Sequence, residues 1–269
     1  MSWVSHISEG IAWLERPARG ETLVLLHGIG SNAGSFAPLL PHLPETTRVI
    51  AWNAPGYGGS DPLAQDWPQA QDYATALRGL LDRLHIGTCA LLGHSLGALV
   101  AAAFAAGHAD RVTHLTLAAP AIGHGVTPGE VLSAAAQIRI DDLERQGAKA
   151  FAAARAPRLV FRPEDNPESL ALVQTAMGQV TMPGYGQAAR MLASGRLLDD
   201  AERLWLPTDV IVGAEDRVTP PEGARRVHGV LHANARGRYT ELPDLGHALY
   251  QQDPARFARA LDLTAAAAA

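Results

Sequence analysis

Three side chains offer the clearest chemistry in this sequence: Ser95, Asp216 and His247. Ser95 stands at the centre of Gly93-His94-Ser95-Leu96-Gly97. A β-rich apolar run, Cys89 to Leu92, leads into it, and an alanine-rich helical run, Ala98 to Gly107, leads out. Strand, Gly-x-Ser-x-Gly, helix is the context of a nucleophile elbow, where the serine occupies a strained turn. The glycines let strand and helix approach where a Cβ would clash. A serine hydroxyl is a poor nucleophile until a base takes its proton and a third group orients that base. In an elbow topology the acid and base follow later strands, in the order Ser, then Asp or Glu, then His. Asp216 follows the strand pattern Thr208 to Gly213, and His247 follows Gly237 to Leu242.

Each residue also has a plainer reading. Ser95 could be only a small residue at a tight turn, and His247 a satisfied core histidine. Asp216 could be a helix N-cap, with Glu215 as the rival acid; Asp244 reads as a turn residue. Gly28-x-Gly30-x-x-x-Gly34 after a strand has the look of a dinucleotide-binding turn. That reading wants an acid at the end of the next strand, where Trp52-Asn53 stands. His228 and His232 have the i, i+4 spacing of a zinc pair, but Gly229 follows the first and no third ligand is evident. They read as a solvated helix face. Neither a metal nor a cofactor is expected.

The elements that must position these groups follow a βα rhythm. Residues 3–8 and 11–16 read as two short strands joined at Glu9-Gly10. Thr22 to His27 and Arg48 to Trp52 are continuously apolar, as strands covered on both faces are. Between them lie a glycine loop and a helical segment, Ser35 to Leu43. Gln69 to Leu84 is an amphipathic helix with Tyr73, Leu77, Leu80, Leu81 and Leu84 on one face. The elbow strand, its helix and the strand Val112 to Ala118 complete the first half. Such alternation predicts a parallel sheet covered by helices.

From Pro120 the rhythm breaks. Residues 121–204 hold helix-like segments at Pro128–Arg139, Asp141–Ala154, Pro167–Met177 and Gly186–Leu198, with no convincing strand. This predicts a helical insertion, since a structureless loop of that length would be anomalous. The rhythm resumes with Thr208 to Gly213, a helix from Pro221 to Leu231, the strand Gly237 to Leu242 and a final helix from Asp253 to Leu263. The expected division is a core of residues 1–120 and 205–264, a helical cap at 121–204, and an Ala-rich tail at 265–269.

Composition narrows the class of partner. Among 269 residues, 47% are hydrophobic and 18% charged, as in a domain that buries a full core. A net charge of −5 argues against nucleic acid, which needs a basic face. No apolar stretch approaches the ~20 residues of a membrane span. The first residues, Met1 to His6, carry neither a basic region nor an apolar core, so no secretory leader is expected. Cys89 is the single cysteine, which suits a reducing, cytoplasmic compartment.

Five motifs in order give a specific resemblance: His27-Gly28-Ile29-Gly30, Pro55-Gly56-Tyr57-Gly58-Gly59-Ser60, Gly93-His94-Ser95-Leu96-Gly97, Gly213-Ala214-Glu215-Asp216 and Gly246-His247. Outside 121–204 the chain resembles the capped α/β-hydrolases, a group that includes enol-lactone hydrolases, carbon–carbon bond hydrolases and haloperoxidase-like esterases. The resemblance implies an α/β fold: a mostly parallel eight-stranded sheet flanked by helices, with a helical cap after the sixth strand. It implies Ser95 as nucleophile, His247 as general base and acid, and Asp216 as the orienting carboxylate. The oxyanion hole would be the backbone N–H groups of Ile29 and Leu96. Relatives often carry aspartate where this chain has Asn53, a position expected to be structural. Phe36 is a candidate for the acyl pocket. Met177, Met182, Tyr185, Met191 and Leu192 are candidates for an apolar lid, and Arg190 for an anchor of a substrate carboxylate. The expected partner is a small-molecule substrate, an ester, thioester or lactone of a small carboxylic acid; self-association into a homo-oligomer is left open. The alternatives are carbon–carbon bond hydrolysis of a β-diketone or ring-fission product and, outside enzymes, a ligand-binding receptor on the same fold.

Overall fold

Continuously apolar strands build two layers at once, because successive side chains point to opposite faces. In the computed structural model, which describes residues 3–261, Val24, Leu26 and Leu91 pack into a core on one side of the sheet. Leu23, Leu25 and Leu92 pack into a second core on the other side. The strands are β1 (Val4–Ser8), β2 (Ile11–Arg16), β3 (Thr22–Leu26), β4 (Arg48–Trp52), β5 (Cys89–His94), β6 (Val112–Ala118), β7 (Thr208–Gly213) and β8 (Arg236–Leu242). They form one eight-stranded sheet in the order β1-β2-β4-β3-β5-β6-β7-β8. β1 and β2 pair antiparallel, as do β2 and β4; the remaining pairs are parallel. β5, which leads into Ser95, is central and buried throughout.

The helices are α1 (Ala70–Arg83), α2 (Leu96–Gly107), α3 (Ala134–Arg155), α4 (Pro167–Met177), α5 (Gly184–Ser194), α6 (Leu197–Ala201), α7 (Pro221–Val230), α8 (Leu249–Gln252) and α9 (Pro254–Ala260). The six between α2 and α9 divide cleanly: α3 to α6 lie between β6 and β7, and α7 and α8 follow in the resumed βα pattern. α2 is buried on every side from Leu96 to Ala105. Its small side chains let it lie close: a Cβ at Gly93 would stand 2.8 Å from that of Ala101.

Several expected elements differ from those observed. Residues 35–43 form a 3-10 helix, Ala33–His42, because Pro38 and Pro41 withhold the N–H groups that an α-helix needs. The segment 128–139 does not start a helix at Pro128. Gly129 takes φ +91°, and the helix begins after Ser133, whose hydroxyl accepts from Ala136 N–H at 3.2 Å. That helix runs through 141–154 as one element bent at Gly147, where φ is 73° and ψ is 162°. The segment 186–198 is split at Gly195, where a Cβ would stand 2.8 Å from the Leu99 side chain. The last positions of the expected 253–263 helix, the 265–269 tail, Met1 and Ser2 lie outside the described residues. Among the described residues, no helix is long and apolar enough to cross a membrane.

Candidate active site

Ser95 is held in a backbone conformation that its side chain alone would not choose, with φ 54° and ψ −113°. The flanking contacts enforce it. A Cβ at Gly93 would fall 2.3 Å from the Gly97 carbonyl oxygen, and one at Gly97 would fall 2.3 Å from that of Leu26. Ser95 N–H donates to Ala118 O at 2.9 Å, tying the turn to the end of β6. The hydroxyl opens onto a cavity of about 360 Å³ between the insertion and the sheet, and His247 lines the same cavity.

Asp216 and His247 meet although 31 residues separate them: Nδ1 of His247 lies 2.8 Å from Oδ2 of Asp216. The imidazole donates to the carboxylate there, which leaves Nε2 for the cavity. The other carboxylate oxygen accepts from the backbone N–H groups of Val218 (2.7 Å) and Thr219 (2.9 Å). One carboxylate oxygen thus closes the turn and the other meets His247, while the helix N-cap position itself is Pro220, so Asp216 is not the helix N-cap. The Thr219 hydroxyl lies 2.8 Å from Oδ2 and 2.9 Å from Ala119 O. Burial alone would push the Asp216 carboxyl up. The charge and hydrogen bond of His247, with the N–H groups of Thr219 and Val218, hold it below its ordinary value instead. Glu215 and Asp244 are exposed.

Two further histidines brace the site as neutral rings. Ala54 N–H donates to His27 Nε2 at 3.0 Å, so Nδ1 carries the proton and donates to Gly28 O at 2.9 Å. His94 Nε2 donates to the His247 carbonyl at 2.9 Å, fixing the backbone that carries His247. Burial pushes the His27 pKa down to about 4, and burial together with the charge of His247 pushes that of His94 down to about 3.

The Gly28-Ile29-Gly30 loop passes close to Ser95: a Cβ at Gly28 would stand 3.1 Å from the serine Cβ. The Tyr57 hydroxyl donates to Ile29 O at 2.8 Å and fixes that peptide. Leu96 opens α2, so its N–H has no partner within the helix. Asn53 clamps the loop behind, accepting from Ala33 N–H at 2.9 Å and donating to Gly58 O at 3.0 Å. The dinucleotide reading of this loop fails structurally, because a proline-containing 3-10 helix follows it and offers no α-helical N-terminus to a phosphate. His228 and His232 turn to separate partners, the Gly237 carbonyl and the Trp205 ring.

The candidate pocket residues divide. Met177, Tyr185 and Leu192 line the cavity; Met182, Arg190 and Met191 do not. Met191 is core, with no exposed surface. Phe36 is not on the wall either: it is fully buried and stacks at 4.6 Å on Tyr250, which is. The wall also holds Phe151, Arg139, Arg155, Arg158 and Arg217, which the sequence did not single out. Only Arg217, next to Asp216, carried a signal in its position. Arg139 and Arg155 are sixteen residues apart on what reads as two separate helices, and nothing in their spacing joins them.

Comparisons with known proteins place the chain in a family. A family model described as "Alpha/beta hydrolase family" matches residues 23–260. A 2-hydroxy-6-oxononadienedioate/2-hydroxy-6-oxononatrienedioate hydrolase of Pseudomonas putida is 39% identical over 112 residues, covering 40% of this chain and 39% of that protein. The chain thus spans about two fifths of that relative's length. An (E)-2-((N-methylformamido)methylene)succinate hydrolase of Acinetobacter baylyi is 28% identical over 221 residues, covering 80% of this chain and 81% of that protein. The enol-lactonase of Burkholderia xenovorans superposes with a TM-score of 0.82 at 23% identity, covering 96% of this chain and 97% of that one. At that identity the likeness is one of fold.

Proposed function

The chain belongs to the alpha/beta hydrolase family, and from that premise we propose that it is a serine hydrolase acting on an ester, thioester or lactone of a small carboxylic acid. The observation that carries this reading is the 2.8 Å contact between His247 and Asp216, beside a strained serine on the same cavity. His247 Nε2 takes the Ser95 proton as Oγ attacks the substrate carbonyl. The N–H groups of Ile29 and Leu96 hold the oxyanion, each such donor contributing ~3 kcal/mol to the barrier reduction. The tetrahedral intermediate collapses, and the alcohol or thiol leaves with the proton from His247. Water, activated by the same imidazole, then frees the acid from Ser95. The small molecule is the only partner this chemistry requires.

The 112-residue match to the Pseudomonas putida hydrolase supports a second reading, carbon–carbon bond hydrolysis of a ring-fission product or β-diketone. There the same triad serves, after a proton has been delivered to the substrate carbon. A fluorophosphonate probe tests the common part. Labelling of wild-type protein at Ser95, absent in Ser95→Ala, is expected; an unlabelled wild-type protein that binds small ligands would instead make it a receptor. The kcat/KM values for short esters, lactones and ring-fission diketones then separate the two reactions.

A further inference from the structure

The cavity above Ser95 is lined by four arginines and, among the described residues, by no aspartate or glutamate. This is a marked local departure in a chain whose net charge is −5. The four are not equivalent. Arg158 and Arg217 are exposed and stand at the rim, where they also border an adjoining groove that holds Glu164 and Glu215. Arg139 and Arg155 are half-buried and come from α3, on the insertion side.

Their convergence depends on Gly147. On a straight helix, residues sixteen apart would stand ~24 Å from one another, too far to share one small cavity. The bend folds α3 so that Arg155 reaches Asp142 across it, at 3.2 Å. Asp142 divides its charge, since Arg145 binds its other oxygen. The Arg155 guanidinium lies 4.8 Å over the Phe151 ring, a wall of the cavity. The Arg139 side chain makes no hydrogen bond or ion pair with any described residue. Tyr185 lies within the electrostatic reach of both arginines; burial raises its phenol to about 12, so its hydroxyl remains a donor.

We infer that the insertion side of this cavity is a carboxylate subsite: Arg139 and Arg155 bind an acid group on the substrate, distal to the carbonyl that Ser95 attacks. This rests on the serine-hydrolase reading for the reaction, though not for the binding. The physical reason is desolvation. A neutral substrate would strip water from a half-buried guanidinium and return nothing, whereas a carboxylate replaces that water with charge-assisted, two-point hydrogen bonds. The subsite thus selects for the anion and against its neutral isostere by one and the same group. Arg158 and Arg217 add a positive rim that favours the approach of anions, an effect that salt screens.

Two measurements separate this inference from the reaction it serves. In the first, kcat/KM is compared for monomethyl adipate and methyl hexanoate. The wild type is expected to prefer the charged ester by about tenfold or more, mainly through KM, the scale of one charge-assisted hydrogen bond. Arg139→Gln should reduce that preference to near unity, whereas Arg190→Gln, on α5 and off the cavity, should preserve it. In the second, glutarate and adipate binding to Ser95→Ala is followed by calorimetry and should be lost on adding Arg139→Gln. Equal kcat/KM for the two esters in the wild type, or dicarboxylate binding indifferent to Arg139, overturns the subsite. Arg139-dependent binding by a protein that neither turns over nor labels at Ser95 sustains the subsite and sinks the hydrolase reading.

Discussion

The sheet and the insertion face each other across one cavity, and they treat their polar groups in opposite ways. On the sheet side, the polar groups that set the backbone and rings around Ser95 are mostly committed, although His94 Nδ1 is buried without a partner. Both Asp216 oxygens, the two nitrogens of His27, and both ends of the Asn53 amide have fixed partners. On the insertion side the cavity-lining arginines are held loosely: Arg139 and Arg158 have no hydrogen-bond or ion-pair partner among the described residues, and Arg155 shares one carboxylate. Committed groups give the fixed geometry that a reaction needs. Uncommitted donors are available to a ligand. On the function proposed above, the difference puts chemistry on the sheet side and recognition on the insertion side.

The largest break in that contrast is Asp216→Asn. It keeps the shape but exchanges an acceptor for an amide, so His247 loses its oriented tautomer. A fall in kcat of about 10⁴-fold is expected, with KM little changed. Steady-state kinetics on any accepted ester checks it; a loss confined to KM would mean that Asp216 serves only the turn.

Backbone glycines sharpen the comparison next. At Gly97 an added Cβ meets the Leu26 carbonyl oxygen at 2.3 Å, backbone against backbone, with no side chain able to yield. Gly97→Ala should cost about 3 kcal/mol or more in urea unfolding and abolish turnover, because α2 cannot then hold its place beside Ser95. At Gly147 an added Cβ meets nothing within 4 Å, but φ is +73°. Gly147→Ala therefore strains only the bend, by about 1–3 kcal/mol. Its signature is selective: Ser95 still labels, while the preference for a charged ester falls as Arg139 and Arg155 separate.

The same contrast explains what could be read from the chain itself. Gly93, Gly97 and Gly246 are required by backbone contacts that a side chain would violate, so the core motifs leave local marks in the sequence. Strand periodicity placed Asp216 and His247 at strand ends, where parallel pairing brings them together. In the insertion Gly123 and Gly184 meet backbone just as closely, but the side chains that line the cavity carry no such mark. Met191 and Tyr185 lie on the same helix, yet one faces the core and the other the cavity, and only the packing of α5 decides which. Arg190 is the arginine that the family resemblance suggests; Arg139 and Arg155 depend on a bend at Gly147 that leaves two helical patterns looking independent. Phe36, the candidate for the acyl pocket, lies one layer behind the cavity, since Tyr250 stands between.

Acid separates the two regions by titration. His27 and His94 are buried neutral, with pKa values of about 4 and about 3 against an ordinary 6.5. The unfolded chain binds these protons first, so stability is full above pH ~6.5 and declines as pH falls toward those values. His27 alone would remove on the order of 3 kcal/mol across that window. Asp216 and Asp209, both held low, extend the loss below the ordinary carboxylate range, with Asp209 at about 2. Arginine side chains in general do not titrate in this range. Urea midpoints measured from pH 7.5 to 4.5 should therefore fall steadily, while the charged-to-neutral ester preference holds until the substrate acid itself protonates. A flat stability profile would mean that the buried rings are not kept neutral.

The smallest effects set single-atom economy in the core against tolerance in the insertion. Asn53→Asp replaces one NH2 by an oxygen, and that NH2 is the group donating to Gly58 O at 3.0 Å. The new carboxylate would face a carbonyl across the same gap while keeping its bond from Ala33 N–H at 2.9 Å. An acceptor facing an acceptor in a site 7% exposed costs about 1–3 kcal/mol, and the cost should shrink as pH falls and the acid acquires a proton to donate. Arg190→Gln removes a full charge from a half-buried helix position, yet it breaks no ion pair with a described residue and leaves the cavity wall untouched. A change within ~0.5 kcal/mol is expected there. If the one-atom exchange proved harmless and the loss of charge did not, the division of labour between the two sides would be the reverse of the one their hydrogen bonds describe.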